Sequence, residues 1–352
     1  MRKLLALLLV CLLVIGSIVI AGCGASEQSE EPEPQNSEAK EQPSAKEEKP
    51  YRVAMIMTGP INDAGWNASA HDGLMKAQKE LGVEVAFSEN VAAPDWETTI
   101  RDYGDQGYDL IIAHGFQLTD ATKNVAPDYP EQMFMVVNGS AVQEPNMGAF
   151  RFDSAQTGFV GGTIAGLLTE TNVVGIMVAD KAPNFQASMD GFVAGAKHVN
   201  SDVKVLTAYT DTTSDIQKGK EIGVAMAEQG ADIIACNANQ VGLGSIEAAK
   251  EMGIHAIGFI SDQYSVAPET IYASAIQDVS KLVQNIIKVG LEGGLTPEVR
   301  LNGVKEGVIG PSPWHEHEAK IPQEVKDKLA EVLEGLADGS LREQGILPKP
   351  QY

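Results

Sequence analysis

The sequence predicts an α/β protein of two lobes, each a parallel sheet flanked by helices, carried behind a leader and a tether. Three observations carry this. After residue 50, apolar runs of strand length alternate with helix-period segments, and repeated strand–helix alternation builds parallel sheets covered on both faces. The series passes through four strands and then restarts at "MGAFRF". A folded stretch of about 300 residues is also long for one core and suits two.

The chain opens with "MRK", a short basic start, then "LLALLLVCLLVIGSIVIAGC". A charged start, an apolar run and small residues before a cut make a secretory signal over residues 1–22. The run is also long enough to span a bilayer, so an uncleaved anchor is the alternative. Ile20-Ala21-Gly22-Cys23 resembles the lipobox of bacterial lipoproteins, which implies that Cys23 is acylated and becomes the new N-terminus. Residues 23–50 hold no aromatic side chain and almost nothing apolar. Such a segment cannot bury enough surface to offset its ordering entropy and reads as a disordered acidic tether.

The first unit offers strands at "YRVAMIM", "VEVAFS", "YDLIIAH" and "QMFMVVN", with helical patterns over 64–81, 95–106 and 118–126. Ala70, Leu74, Ala77 and Leu81 fall on one face of the first helix. The second unit runs from "MGAFRF" into "SAQTGFVGGTIAGLLTE", a helix whose small residues allow close backbone packing. "NVVGIMV", a helix over 184–199, "VKVLTAY", a helix over 215–228, "ADIIAC", a helix over 245–252 and "IHAIGF" follow. The chain closes with the strand "TIYASAIQ", the helix "DVSKLVQNIIKVGLEG", two short strands in "EVRLNGVKEGVIG" and an amphipathic helix over 322–336. These late pieces can complete either lobe, and periodicity alone does not decide which.

Charge and cysteine content exclude several functions. A net charge of −22 argues against nucleic acid or anionic lipid as partner. Besides Cys11 and Cys23 only Cys236 remains, so neither a disulfide framework nor a zinc cluster is available. No dinucleotide fingerprint, phosphate loop or nucleophile elbow occurs. His315 and His317 in "WHEHE" stand two apart, which places both on one face only in a strand, and the stretch reads as a solvated loop rather than a metal site.

In open parallel sheets, ligands bind beyond the C-terminal ends of the strands. There the first unit places Asn62, Asp63, Trp66, Asn67, Phe116 and Asn138, and the second places Phe185, Asn237, Asn239, Asp262 and Gln263. These are amide, carboxylate and aromatic groups with hardly a cation among them. Aromatic faces stack on a flat ring, and Asn, Gln and Asp match its edge donors and acceptors. Phosphate or carboxylate ligands call for Arg or Lys. Each residue also has a plainer use: Asn62 or Asp63 as a helix N-cap, Trp66 as a staple residue, Phe185 as core, and the Asn237–Gln240 loop as a turn.

The motifs in order resemble those of the basic membrane protein family of lipoproteins, substrate-binding components of ABC transporters for purine nucleosides and related bases. The resemblance runs from Tyr51 to about Gly310 through Asp63-Ala-Gly-Trp66-Asn67, "DSAQTGFVGGTIAG", "FQASMDGFVAGAKHVN", "GLGSIEAAKEMG" and "GFISDQ". It implies a periplasmic-binding-protein fold of type I with three crossings between lobes and the ligand in the interlobe cleft. It implies a first lobe of 51–152 and 261–303 and a second of 153–260 and 304–352. It also gives Trp66 the ring-stacking role and Asp262 the ribose hydroxyls. Trp66 stands where the family commonly has Phe, "NANQVG" replaces a glycine-rich loop, and Gln277 stands where many members have Lys.

The resulting expectation is a monomeric, lipid-anchored binding protein on the outer face of the cell membrane. It captures a purine nucleoside or base such as adenosine or adenine for an ABC permease and its ATPase, needs no cofactor or metal, and catalyses nothing. A sugar or signalling molecule in the same fold is the alternative, and a nucleoside-processing enzyme a further one.

Overall fold

The computed structural model describes residues 49–62 and 66–350. The leader, Cys23, the tether up to residue 48 and Asp63 lie outside the described residues.

The first series comprises β1 (Arg52–Met57), α1 (Trp66–Leu81), β2 (Glu84–Ser88), α2 (Trp96–Asp105), β3 (Leu110–His114), α3 (Thr119–Val125), β4 (Met133–Val137) and β5 (Met147–Phe152). The second comprises α4 (Ser154–Leu168), β6 (Val173–Val178), α5 (Pro183–Val199), β7 (Lys204–Tyr209), α6 (Ile216–Glu228), β8 (Ile233–Asn237), α7 (Val241–Met252), β9 (His255–Ile260) and β10 (Ile271–Gln277). Then come α8 (Val279–Leu291), β11 (Val299–Asn302), β12 (Ile309–Pro311), α9 (Gln323–Ala337) and α10 (Ser340–Glu343).

The strands form two six-stranded sheets, ordered β11-β5-β4-β3-β1-β2 and β12-β10-β9-β8-β6-β7. Every pairing in the first is parallel, and in the second only β10–β12 is antiparallel. Strand β1 shows why such sheets form. Val53, Met55 and Met57 face one apolar cluster, Ala54 and Ile56 the other, and all five are buried. A strand apolar on both sides must have both faces covered.

The sheet assignments correct the expected lobe boundary. Of 261–303, β10 is hydrogen-bonded into the second sheet between β9 and β12. Only α8 and β11 go to the first unit: α8 meets α1, where Ser280 Oγ donates to Asp72 at 2.8 Å, and β11 pairs with β5. The chain thus passes between sheets at Asp153, at Asp278 and across 303–308. Two of these passages open a helix, and each Asp caps it, accepting from Gln156 N at 3.3 Å and Lys281 N at 2.8 Å. The passages are tied together: Asp153 N donates to Asn302 O at 2.9 Å, Asp278 N to Val308 O at 2.8 Å, and Val304 N to Gln156 Oε1 at 2.8 Å.

Two elements depart from the sequence reading. Helix α7 starts one turn earlier, at Val241, despite two glycines; at Gly244 a Cβ would lie 1.9 Å from the Ile216 carbonyl oxygen, so the close approach of α6 fixes that turn. Helix α10 was not anticipated, being a single turn.

Candidate functional site

At the mouth of the first sheet, β1 gives way to α1, whose first residue is Trp66. Its indole is half-buried and does not stand alone. The imidazole of His114, the last residue of β3, stacks on it with ring centroids 4.5 Å apart and planes 21° from parallel. Phe152, the last residue of β5, meets it edge-on at 6.3 Å. His114 Nε2 lies 3.2 Å from the Trp66 carbonyl oxygen; a carbonyl can only accept, so Nε2 carries the proton. His114 is wholly buried, held between β1 and β4 opposite Met57 and Val137. Three rings, one from the start of α1 and two from strand ends, therefore form one aromatic platform. The sequence reading named Trp66 and passed over His114, which ends an apolar run and gives no local signal.

The other first-lobe residues divide by use. Asn62 is exposed in the turn before α1. Asn67 is buried against Gly59, where a Cβ would lie 2.5 Å from its Nδ2. Phe116 is 63% exposed, presented by the turn that follows Gly115 at φ 130°. Asn138 closes its own loop: at φ 59° it donates from its backbone N to Phe150 O at 2.8 Å, and its Oδ1 accepts from Phe152 N at 3.3 Å. The left-handed region suits Asn.

In the second lobe Phe185 sits in the first turn of α5, half-buried between two apolar clusters. Its neighbour Asn184 lines a small gap with Phe152 and Asp153. Asn237 is buried and donates to Ser188 Oγ at 3.0 Å, tying β8 to α5. Asn239 is exposed at φ 49°. Gln263 bonds within the fold through its Oε1, which accepts from Phe259 N, and its main-chain N, which donates to Ser274 Oγ, both at 3.1 Å. Asp262 accepts from Tyr264 N at 3.1 Å and from His315 Nε2 at 2.7 Å. Lys181, another residue the sequence reading passed over, places Nζ 5.5 Å from the centroid of the Tyr209 ring.

The "WHEHE" stretch is not the solvated loop expected. His317 is buried and reaches Pro268 O at 2.8 Å, and His315 stacks on Tyr264 at 4.1 Å while holding Asp262. Among the described residues no group of three or more His, Cys, Asp or Glu side chains is placed to hold a metal. Burial pushes the Cys236 thiol up to about 12, so it carries little thiolate at neutral pH.

Two lobes of mainly parallel sheet, joined by three crossings with aromatic and amide groups at the strand ends, define a substrate-binding protein of periplasmic-binding-protein fold. Comparison with known proteins makes this particular. Residues 51–337 match the family described as ABC transporter substrate-binding protein PnrA-like, and the chain belongs to that family, the basic membrane proteins. It is 30% identical to the transcriptional activator protein med of Bacillus subtilis over 85% of this chain and 90% of that protein. It is 28% identical to basic membrane protein A2 of Borrelia garinii over 84% of this chain and 88% of that one. An ABC transporter solute-binding protein from Aeropyrum pernix superposes with a TM-score of 0.65 at 23% identity, over 83% of this chain and 92% of that chain. The protein is accordingly an ABC transporter substrate-binding protein, a class that works outside the cytoplasm with a permease and its ATPase.

Proposed function

We propose that the protein captures a purine nucleoside or purine base, adenosine or adenine being the test cases, and delivers it to its permease from a lipid anchor at Cys23. The observation that carries the purine is Trp66: a flat ring at a strand-end mouth, backed by a second ring and edged by a third. In this reading the indole is one wall of a ring-binding slot, and Phe116, Phe185, Asn62, Asp63 and Asn239 complete it when the lobes close. Asp262 serves ribose hydroxyls, exchanging its bond to His315 for them. Asn67, Asn138, Asn237 and Gln263 shape the loops around the ligand. The Bacillus subtilis relative is named a transcriptional activator; for this chain a net charge of −22 disfavours nucleic acid as the ligand.

Calorimetric titration tests this. Stacking is worth about 0.5–1.5 kcal/mol beyond burial and the indole's apolar area about another 1.5–3, so Trp66→Ala lowers purine affinity at least about tenfold, and Trp66→Phe keeps most of it. Asp262→Asn weakens adenosine more than adenine. Absence of adenosine and adenine binding by the unaltered protein, or binding by Trp66→Ala at full strength, refutes the reading. For the anchor, Cys23→Ala leaves the membrane fraction or accumulates as precursor, because acyl chains supply roughly 0.8 kcal/mol per buried CH₂; unchanged fractionation at mature size refutes it.

A further inference from the structure

We infer that His114 is a positioning residue of the binding site: it fixes both the main chain and the ring of Trp66, so that the indole meets its ligand with one face only. The inference deepens the reading above and rests on it for its ligand.

Four observations converge. The imidazole covers one face of the indole at 4.5 Å. The same ring reaches the Trp66 carbonyl oxygen at 3.2 Å, so one side chain holds the residue at two points. His114 itself cannot drift, being wholly buried at the end of β3 with strand partners on both sides. Phe152 stops the indole from pivoting at its edge. No alkyl side chain at position 114 could do both jobs, because it offers neither a stacking face nor a donor. Holding a ring in its bound orientation before the ligand arrives removes the cost of ordering it on binding. A face already covered by His114 is also closed to ligand. The site therefore stacks a single ring system on the open face, and the second lobe must supply any opposing wall.

The test uses the full chain labelled with 5-fluorotryptophan. Its three tryptophans give three ¹⁹F resonances, and Trp66→Phe assigns the one of interest. His114→Asn keeps a donor and loses the stack, and His114→Phe keeps a ring and loses the donor. Each is expected to shift or broaden the Trp66 resonance while those of Trp96 and Trp314 stay in place. His114→Asn is expected to weaken adenosine about fivefold to tenfold, a loss on the scale of one ring stack, and His114→Phe less. An unmoved Trp66 resonance in both variants overturns the inference. So does movement of all three resonances, which marks a general structural role. If the Trp66 resonance alone moves but adenosine never binds the unaltered protein, the positioning role stands and the purine reading falls.

Discussion

Replacing Gly162 by Ala should destabilise the protein although it improves the helix. Helices α4 and α5 meet through glycines on both sides. A Cβ at Gly162 would lie 2.0 Å from the Phe192 carbonyl oxygen, and at Gly158 1.9 Å from that of Ser188. From the other helix, Gly191 and Gly195 approach the Ala155 and Phe159 carbonyl oxygens as closely, at 2.1 and 2.2 Å. A carbon–oxygen contact settles at about 3.3 Å or more, so the helices must part by roughly 1.3 Å. The obstructing atoms are main chain and cannot swing aside. Nor can α4 retreat, because residues all round it are buried. Overpacking costs typically about 1–3 kcal/mol; with backbone as the obstacle the upper end applies. Ala in place of Gly returns about 1 kcal/mol of propensity, leaving a net loss of roughly 2 kcal/mol. Urea unfolding followed by circular dichroism reads this directly. Gly310→Ala is the control, since nothing lies within 4 Å of a Cβ there. Unchanged or raised stability in Gly162→Ala refutes the argument.

Two further outcomes follow from charges. Arg342 on α10 donates to Asp153 at 2.6 Å, and that carboxylate, only 4% exposed, caps α4 at the first crossing. Arg342→Gln leaves a buried charge and should cost about 2–4 kcal/mol, somewhat below a fully buried pair because the guanidinium is partly exposed; Asp153→Asn in the same chain should recover part of it, and urea midpoints of the single and double variants check both. The second outcome is a pH dependence. Burial holds the imidazole of His255 below the ordinary 6.5, so the unfolded chain takes up its proton first. Stability should therefore be full above about pH 6.5 and fall as pH drops through the folded value. His255→Gln should flatten the decline between pH 7.5 and 5.5, and an identical decline in both proteins would show that other groups cause it.

Most of the fold was legible because its signals are local. Apolar runs of strand length became strands, and "SAQTGFVGGTIAG" announced the close helix pair through its small residues alone. What was not legible depends on distant partners. Nothing in "TIYASAIQ" says which sheet it joins; that is decided by β9 on one side and β12 on the other. The start of α7 is set by the backbone of α6, across glycines that read locally as a loop. His317 looked exposed beside charged neighbours, yet its Nε2 answers the Pro268 carbonyl, 49 residues away in sequence.

The site was harder for a related reason. A polar residue at a strand end can serve the ligand or the loop that holds it, and sequence does not distinguish the two. Asn138 and Gln263 show the second use at their side-chain oxygens, which satisfy Phe152 N and Phe259 N. Backbone donors at such bends would otherwise be left unpaired at a cost of about 1–3 kcal/mol each when buried, so the loops claim the amides first. The same logic sharpens the ligand. Of the charged groups near the strand ends, Asp262 is held by His315 and Lys181 leans over Tyr209. A ligand that used either of these two charges would first have to displace its partner. The neutral ring proposed above needs neither, since it calls on Trp66, whose indole is stacked by His114 at 4.5 Å and met edge-on by Phe152 at 6.3 Å.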